Sequence, residues 1–272
     1  TAKKEPETYL EFWKEFGILV KEGAATDHDH RESIAKLLRF ESSALEPGEL
    51  TGLEDYVARM PEEQKEILFL FGRNREAIES GPYLEALKAR HLEALILTEP
   101  VDEYVMQALR EFDEKKLLSG DSEELKLDKL ADEPEGERLN KKALKSLCKW
   151  MKEILGERVT EVEEGERLID SPVCVVGGDA LGGPSARRVM KLMQGPDASL
   201  PAPAVKLQLN PRHPILRGLA DLRKTNADTA TLVANQLLDN AIASADLLED
   251  PREMIARNFE ALEKLTAEET KP

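Results

Sequence analysis

The sequence predicts a helix-rich α+β chain in which helices lead into a small α/β layer, followed by a mixed α/β domain that ends in a pair of helices. Three observations carry this prediction. Apolar residues recur at helical spacing near both ends of the chain. Two short apolar runs, at 67–71 and 92–97, are typical of buried strands. A charged stretch with few apolar residues, at 126–137, predicts a linker between two domains, 1–125 and 138–272.

Length and composition indicate a globular chain with room for two cores. The 272 residues lie in the range, roughly 250–300, at which a single core stops growing. With 41% hydrophobic and 34% charged residues, the composition differs from that of disordered chains. The net charge of −16 offers no cationic excess to a nucleic-acid backbone, so we expect no nucleic-acid partner.

The sequence carries no mark of a membrane or secreted protein. No apolar run approaches the ~20 residues of a membrane-spanning helix, and no secretory signal is recognisable. Cys148 and Cys174 are isolated from each other, which is typical of a reducing compartment. We therefore expect no membrane contact and a location in the cytosol or an organelle matrix. Cys148 lies on the apolar stripe of its helix and is expected to be a buried, unreactive thiol.

The N-terminal segment predicts three helices. Gly23 offers a C-terminal stop for the first helix. Thr51 and Glu54 have the spacing of a capping box at the start of the third. The apolar positions are Tyr9, Phe12, Trp13, Phe16, Leu19 and Val20 in the first helix, Ile34, Leu37 and Leu38 in the second, and Leu53, Tyr56 and Val57 in the third.

The small α/β layer is expected between about Glu66 and Ser119. Its two apolar runs predict strands, and Pro82 is placed to open the helix between them. Because a helix connects these strands, we expect them to be parallel. A further helix is expected over 102–110.

The second domain is expected to start with a long amphipathic helix that Gly156 ends. Short strands follow, and three helices complete the chain. The strands are predicted at 159–162, 173–176 and 205–209, and the helices at 214–224, 227–246 and 251–266.

The last two helices carry a wider apolar face than one antiparallel partner needs. Two such helices at a chain end commonly pair with a second copy in a four-helix bundle about a twofold axis. The alternative is that both pack only on their own domain. The residues predicted for the dimer interface are Leu232, Val233, Leu237, Leu238, Ala241, Ile242, Ala245, Ile255, Phe259 and Leu262.

Catalytic and metal-binding patterns are absent, so no catalytic site and no metal site are predicted. The glycines in the loop 177–185 match neither a P-loop nor a dinucleotide fingerprint. His28 and His30 lack further ligands at zinc spacing. An alternative function, a small α/β hydrolase built from Ser42, Ser43 and His213, is motivated only by the presence of those residue types, because their spacing fits no hydrolase signature.

Several short motifs in a fixed order resemble the heat shock protein 90 family, and especially its bacterial and mitochondrial branch. The resemblance runs from about Tyr9 to about Leu265. It implies the C-terminal part of the middle domain followed by the C-terminal dimerisation domain. The motifs are Leu37–Leu45 (LLRFESSAL), Tyr56–Met60 (YVARM), Gln64, Ser80–Glu85 (SGPYLE), Arg110–Asp113 (REFD) and Leu209–Pro214 (LNPRHP).

The resemblance also implies two surfaces that contact unfolded or partly folded client proteins. Methionine adapts its shape to varied apolar partners, which suits this role. The alternative is that Met190 and Met193 fill the core of the second domain. The residues that match the family's client-contact positions are Glu103, Tyr104, Met106 and Gln107 in one segment, and Val189, Met190 and Met193 in the other.

Further expectations about cofactors, partners and location follow from the resemblance. In this family ATP and magnesium bind an N-terminal domain that we expect upstream of Thr1, so no cofactor is expected in this segment. The expected partners are a second copy and client proteins. The terminal sequence Glu268–Pro272 lacks the acidic peptide that recruits tetratricopeptide-repeat co-chaperones, so such docking is not expected. Its absence favours a bacterial cytoplasmic protein, with the mitochondrial matrix as the alternative. A non-chaperone interaction scaffold remains a further alternative function.

Overall fold

A computed structural model describes residues 2, 4–128, 137–177, 184–194, 204–248 and 250–268. The fold is α+β and helix-rich, with one mixed sheet in each half of the chain. The centre of the predicted linker, 129–136, and most of the glycine-containing loop, 178–183, lie outside the described residues.

The first sheet is mixed and has the strand order β2-β1-β4-β3-β6-β5. Its central strand β3 pairs in parallel with β4 on one side and β6 on the other, as the intervening helices require. Antiparallel pairs β1–β2, β1–β4 and β5–β6 complete it. The strands are β1 Phe40–Ser42, β2 Leu50–Thr51, β3 Glu66–Phe71, β4 Leu95–Leu97, β5 Glu111–Phe112 and β6 Lys115–Ser119.

Six helices surround this sheet. Pro82 stands in the first turn of its helix, as predicted, where its missing N–H has no intrahelical role. The helices are α1 Pro6–Thr26, α2 Arg31–Ala35, α3 Leu53–Arg59, α4 Arg75–Glu79, α5 Pro82–Lys88 and α6 Pro100–Leu109.

The second sheet has the strand order β7-β9-β8, with β7 parallel and β8 antiparallel to the central β9. The predicted strands and terminal helices of this half are confirmed within a few residues. No helix among the described residues is long and apolar enough to cross a bilayer. The elements are α7 Lys141–Leu155, β7 Val159–Glu164, β8 Val173–Val176, α8 Pro184–Gln194, β9 Val205–Leu209, α9 Pro214–Thr225, α10 Ala227–Ser244 and α11 Arg252–Glu268.

Two helix boundaries predicted for the N-terminal segment are wrong. Helix α1 continues through Gly23 to Thr26, and the Gly23 carbonyl accepts a hydrogen bond from Asp27 N–H. A Cβ at Gly23 would stand 3.6 Å from the Ile34 side chain, an ordinary van der Waals contact, so neither a helix stop nor the approach of α2 requires glycine here. Helix α2 ends at Ala35, and Leu38 is buried outside any helix.

The predicted capping box before α3 is also wrong. Thr51 is the last residue of β2 and is buried, and its hydroxyl accepts a hydrogen bond from Arg59 at 3.0 Å. Gly52 takes the capping position without a side-chain hydrogen bond. The pairing of β2 with β1, which the sequence pattern does not reveal, has placed Thr51 in the sheet.

Two apolar clusters form the core, and they share β3. Alternate residues of a strand point to opposite faces of a sheet. Ile67 and Phe69 accordingly join the cluster with α1, α3 and α6, whereas Leu68 and Leu70 join the other cluster. This second cluster continues through α5 into the sheet and helices of the second half of the chain. Apolar packing therefore crosses the predicted linker, and the domain limits 1–125 and 138–272 stay a prediction.

Candidate functional site

Helix α6 carries the first predicted client-contact segment, and its position is set by charged contacts at its N-terminus. Glu99 and Asp102 form a reciprocal capping box, in which Glu99 N–H donates to Asp102 Oδ2 at 3.1 Å. Lys21 of α1 is buried and lies 2.7 Å from Asp102 Oδ1. Burial raises the pKa of Asp102 while Lys21 acts to lower it. The result is a helix whose first turn is anchored to α1.

The outward face of α6 contains only part of the predicted segment. Tyr104 is 38% exposed, and Gln107 is exposed as well. Glu103 and Met106, one turn apart, are 0% and 2% exposed, so they face inward, and their contact with client protein stays a prediction. Helical geometry gives the reason, since residues three apart share a face.

Helix α8 carries the second predicted segment. As in α6, the residues of this segment lie partly on the exposed face and partly on the buried face of the helix. Met193 is 73% exposed, which contradicts the alternative that it fills the core. Met190, one turn earlier, is half-buried. Val189 is 4% exposed and therefore faces inward, and its contact with client protein stays a prediction.

The two predicted segments are neighbours, because α6 packs against α8. Arg188 of α8 is buried between them, with its guanidinium 2.6 Å from Glu103 Oε1 and 2.8 Å from Asp121 Oδ2. Burial acts to lower the pKa of Arg188, but the Asp121 and Glu103 carboxylates prevail and hold it above its ordinary value. This role of Asp121 is not predictable from the sequence, since nothing in its sequence surroundings indicates a partner sixty-seven residues away.

The residues of the predicted dimer interface also differ in exposure, here between the two helices that carry them. Helix α10 packs on α9, α7, β8 and α11, and most of its predicted interface residues are buried in their own chain. For these residues direct contact with a second copy stays a prediction. They are Leu232, Leu237, Leu238, Ala241, Ile242 and Ala245, while Val233 is half-buried.

Helix α11 presents the exposed apolar stripe. Ile255, Phe259 and Leu262 are 48%, 62% and 50% exposed. The opposite side of α11 is held to α10 by Arg257, whose Nε donates to Asp239 Oδ2 at 2.6 Å. The unpartnered apolar face at the end of the described chain therefore belongs to α11 alone.

The residues of the hydrolase alternative are not brought together. Ser42 is buried and donates its hydroxyl hydrogen bond to Glu93. Ser43 Oγ accepts from Ala94 N–H at 2.9 Å. His213 caps α9 through Nδ1, which accepts from Ile215 N–H at 3.2 Å, and burial lowers its pKa. Each group makes a structural hydrogen bond to another part of the fold, so the alternative has no geometric support.

The remaining histidines and the cysteines have structural surroundings. His30 Nδ1 contacts Asp27 at 3.0 Å, and His28 Nδ1 accepts from Arg31 at 2.8 Å. Within the described ranges, no group of three potential metal ligands occurs. Burial raises the pKa of the Cys148 thiol to about 11 and that of Cys174 to about 12.

Comparison with known proteins gives one consistent result. The family model described as Hsp90 protein matches residues 1–271. The chaperone protein HtpG of Desulfitobacterium hafniense is 46% identical over 264 residues, covering 97% of this chain and 42% of that protein. HtpG of Desulfotalea psychrophila is 38% identical over 271 residues, covering 97% and 43%. The mitochondrial heat shock protein 75 kDa of Rattus norvegicus is 37% identical over 270 residues, covering 97% and 38%.

These matches extend over nearly the whole chain, although the chain spans less than half the length of the relatives: 42%, 43% and 38%. The family model alone covers all but the last residue. The relatives include both bacterial chaperones and a mitochondrial heat shock protein. The chain belongs to the Hsp90 family of chaperones.

Proposed function

We propose that this chain is the middle-to-C-terminal portion of a chaperone of this family, where it holds unfolded or partly folded client protein and pairs with a second copy. The observation that carries the client role is the exposure of large apolar side chains on two neighbouring helices. Tyr104 of α6 and Met193 of α8 are 38% and 73% exposed. Together with Gln107 and Met190 they form what we call the client surface.

The chemistry of the client surface suits weak binding of varied segments. Methionine side chains are flexible and polarizable, so they adapt to apolar partners of different shape. Tyr104 adds a rigid aromatic face with a polar edge. In a dimer, two such surfaces would engage one unfolded chain at several points, and avidity would raise the low affinity of each point.

The dimer role is carried by the stripe on α11. A twofold arrangement would bring the same stripe of two copies together and bury Ile255, Phe259 and Leu262. Helix α10 would then lie behind α11 as the second helix contributed by each copy to a four-helix bundle. Its own apolar residues serve the core of its chain.

Binding and hydrolysis of ATP, with magnesium, are proposed for the rest of the full-length protein. Ser42 and His213, the residues of the hydrolase alternative, serve structural hydrogen bonds, which argues against that alternative. A bacterial cytoplasmic location, with the mitochondrial matrix as the alternative, agrees with the kinds of relatives found.

A double substitution tests the client role. Tyr104→Ala with Met193→Ala removes apolar area that client contact would bury, so we expect about tenfold weaker binding of a permanently unfolded protein. Reduced, carboxymethylated α-lactalbumin with a fluorescent label is the probe, and anisotropy is the measurement.

The matched control removes exposed apolar area elsewhere. Ile18 and Leu19 are 47% and 58% exposed on α1, and Ile18→Ala with Leu19→Ala should leave binding unchanged. Equal losses in the two double variants would show that binding depends on general surface hydrophobicity, which would contradict a client surface on α6 and α8.

A further inference from the structure

A cleft of about 470 Å³ lies beside the first residues of β3. Three segments form its walls: the turn 61–64 before β3, the residues 89–92 that follow α5, and the segment 125–128 that follows β6. Its volume falls within the roughly 300–1,000 Å³ of small-molecule sites. The residues of the client surface do not line it. Its lining includes Gln64, Leu68, Arg90, Leu92, Leu125 and Leu127.

Leucine side chains from each side make the cleft apolar. Leu68 of β3 and Leu125 are 1% and 7% exposed. Leu92 and Leu127 are half-buried and pack against the same apolar cluster. Because these four leucines come from three segments, a planar apolar molecule in the cleft would make van der Waals contacts on more than one side.

Gln64 places an unpartnered acceptor in the wall of this cleft. Its side-chain nitrogen Nε2 donates to the Glu66 carbonyl at 2.8 Å and to the Tyr56 hydroxyl at 3.3 Å. Since a carbonyl can only accept, the nitrogen must face Glu66, and this fixes the orientation of the amide. Gln64 is 8% exposed, and its Oε1 is buried without a hydrogen-bond partner in the part of the chain that the structure describes.

An acceptor in this state favours a ligand that brings a donor. A buried polar atom without a hydrogen bond carries a free-energy cost, which is recovered when a donor reaches it. A site with a buried acceptor therefore discriminates strongly between two molecules of the same shape when only one of them has an N–H group.

The charged residues of the cleft do not supply that donor. Each nitrogen of the Arg90 guanidinium already donates to a backbone carbonyl, and Glu63 and Glu66 in the lining oppose an anionic ligand. The complementary molecule is therefore apolar, is not an anion and donates one hydrogen bond. The carbonyls that accept from Arg90 are those of Ala86, Asp128 and Glu166, at 2.8, 2.7 and 3.1 Å.

We propose that this cleft binds a small, planar, apolar molecule with a single N–H donor, of which indole is the simplest example. The N–H group donates to Gln64 Oε1, and the rings contact Leu68, Leu92, Leu125 and Leu127. This site is independent of the client surface and of the proposed pairing of two copies.

A matched pair of probes tests the site. Indole carries one N–H donor, and benzofuran has the same shape with a ring oxygen in place of that group. Titrations followed by the ¹³C-methyl resonances of leucine should give a Kd of about 1 mM for indole, a value ordinary for so small a ligand. Benzofuran should bind about tenfold more weakly. The shifts should centre on the four leucines of the cleft.

Substitution of Gln64 isolates the acceptor. Gln64→Met keeps a side chain of similar length without the Oε1 acceptor, so indole and benzofuran should bind it equally. Gln236→Met is the matched control, because Gln236 Oε1 is also buried without a partner in the described ranges but lies on α10, outside the lining of the cleft. This control should keep the tenfold preference for indole.

A second variant keeps the test decisive if Gln64→Met does not fold. Ala89 is an exposed residue of the lining, and Ala89→Trp would fill the cleft and abolish the binding of both probes. Circular dichroism verifies the fold of each variant.

Three results would overturn the proposal. Equal affinity of the unmodified chain for the two probes would show that Gln64 Oε1 takes no part in binding. A preference for indole that survives Gln64→Met, or shifts centred on other leucines, would place the binding elsewhere. Absence of binding at about 10 mM of either probe would show that water alone satisfies this acceptor.

Discussion

A single buried carboxylate orients the terminal helix. Asp239 of α10 is 1% exposed and receives Arg257 of α11 at 2.6 Å on one oxygen and Arg158 on the other. With Arg257 turned inward, the helical period places Ile255 and Phe259 on the opposite, exposed side. Burial of such a carboxylate is tolerated because two cations pair with it.

The thiols give a prediction about pH. Burial raises the pKa of Cys148 to about 11 and of Cys174 to about 12, above the ordinary value of 9.0. The unfolded chain therefore releases these protons first, and the stability contributed by the neutral thiols, fully present below pH 9.0, falls as the pH rises towards 11 and 12. We expect the urea midpoint to decrease over that range.

The double variant Cys148→Ala, Cys174→Ala is the control for this prediction, since other groups also titrate in alkali. Its urea midpoint should decrease less steeply over the same pH range. An identical slope in the two proteins would show that the thiols do not contribute to the pH dependence.

Side-chain exposure in α6 and α8 shows which part of the predicted client-contact site follows from the sequence and which part depends on the tertiary structure. The segments themselves lie next to each other, but only Tyr104, Gln107, Met190 and Met193 offer surface. Helical spacing alone separates the two faces of each helix. The spacing does not indicate which face points inward. Glu103 is charged and nevertheless buried, because it pairs with Arg188, which is eighty-five residues away in the sequence.

At the scale of elements, α10 and α11 have similar apolar patterns and different positions. Helix α10 is central and contacts two helices of its own domain, strand β8 and α11. Helix α11 contacts α10 on one side and presents an exposed apolar stripe on the other. An apolar helix face predicts burial but not the partner that provides it, and the sequence therefore assigned both helices to one interface.

The position of α11 predicts the effect of a charge on its stripe. Phe259→Glu would place a carboxylate at the centre of a twofold apolar contact, where it would lose water without a partner. We expect the unmodified chain to be dimeric and the variant to be monomeric in sedimentation equilibrium.

Ala256→Glu is the matched control, because it adds the same charge to an exposed position beside the stripe of the same helix. It should leave the dimer intact. A monomeric unmodified chain at tens of micromolar would contradict the proposed dimer role of α11.

At the scale of the whole molecule, the two apolar clusters meet at β3, and one of them crosses the predicted linker. The Tyr83 hydroxyl of α5 donates to the Val175 carbonyl of β8 at 2.6 Å, and Glu85 Oε1 accepts from Ile169 N–H at 2.8 Å. Arg167 donates to the Gly120 carbonyl at 2.9 Å. These contacts join the α/β layer to the second sheet across sequence distances that no local pattern indicates.

Shared packing predicts one cooperative unfolding transition for the whole chain. Trp13 belongs to the cluster beneath α1, whereas Trp150 packs against the other cluster. The variants Trp13→Phe and Trp150→Phe each keep one fluorescent reporter, and their urea transitions should coincide in the midpoint and slope.

Far-ultraviolet circular dichroism of each variant supplies the reference for the total secondary structure. A Trp150 transition displaced from the Trp13 transition, with circular dichroism in two steps, would show that the two halves unfold independently. That outcome would support the domain limits predicted from the sequence. It would contradict a cooperative role for the apolar cluster that extends from β3 into the second half of the chain.

The sequence by itself determined the α+β class, the parallel pair of β3 and β4, the strands and terminal helices of the second half, and the family to which the chain belongs. These features depend on local periodicity, on strand connection and on motifs in a fixed order, all of which are properties of neighbouring residues. The tertiary structure alone decided which face of α6, α8 and α10 is buried and that one apolar cluster spans both halves. It also added short strands such as β1 and β2, whose pairing comes from distant partners. Burial and ion pairing are set by residues far apart in the chain, and a local pattern carries no information about them.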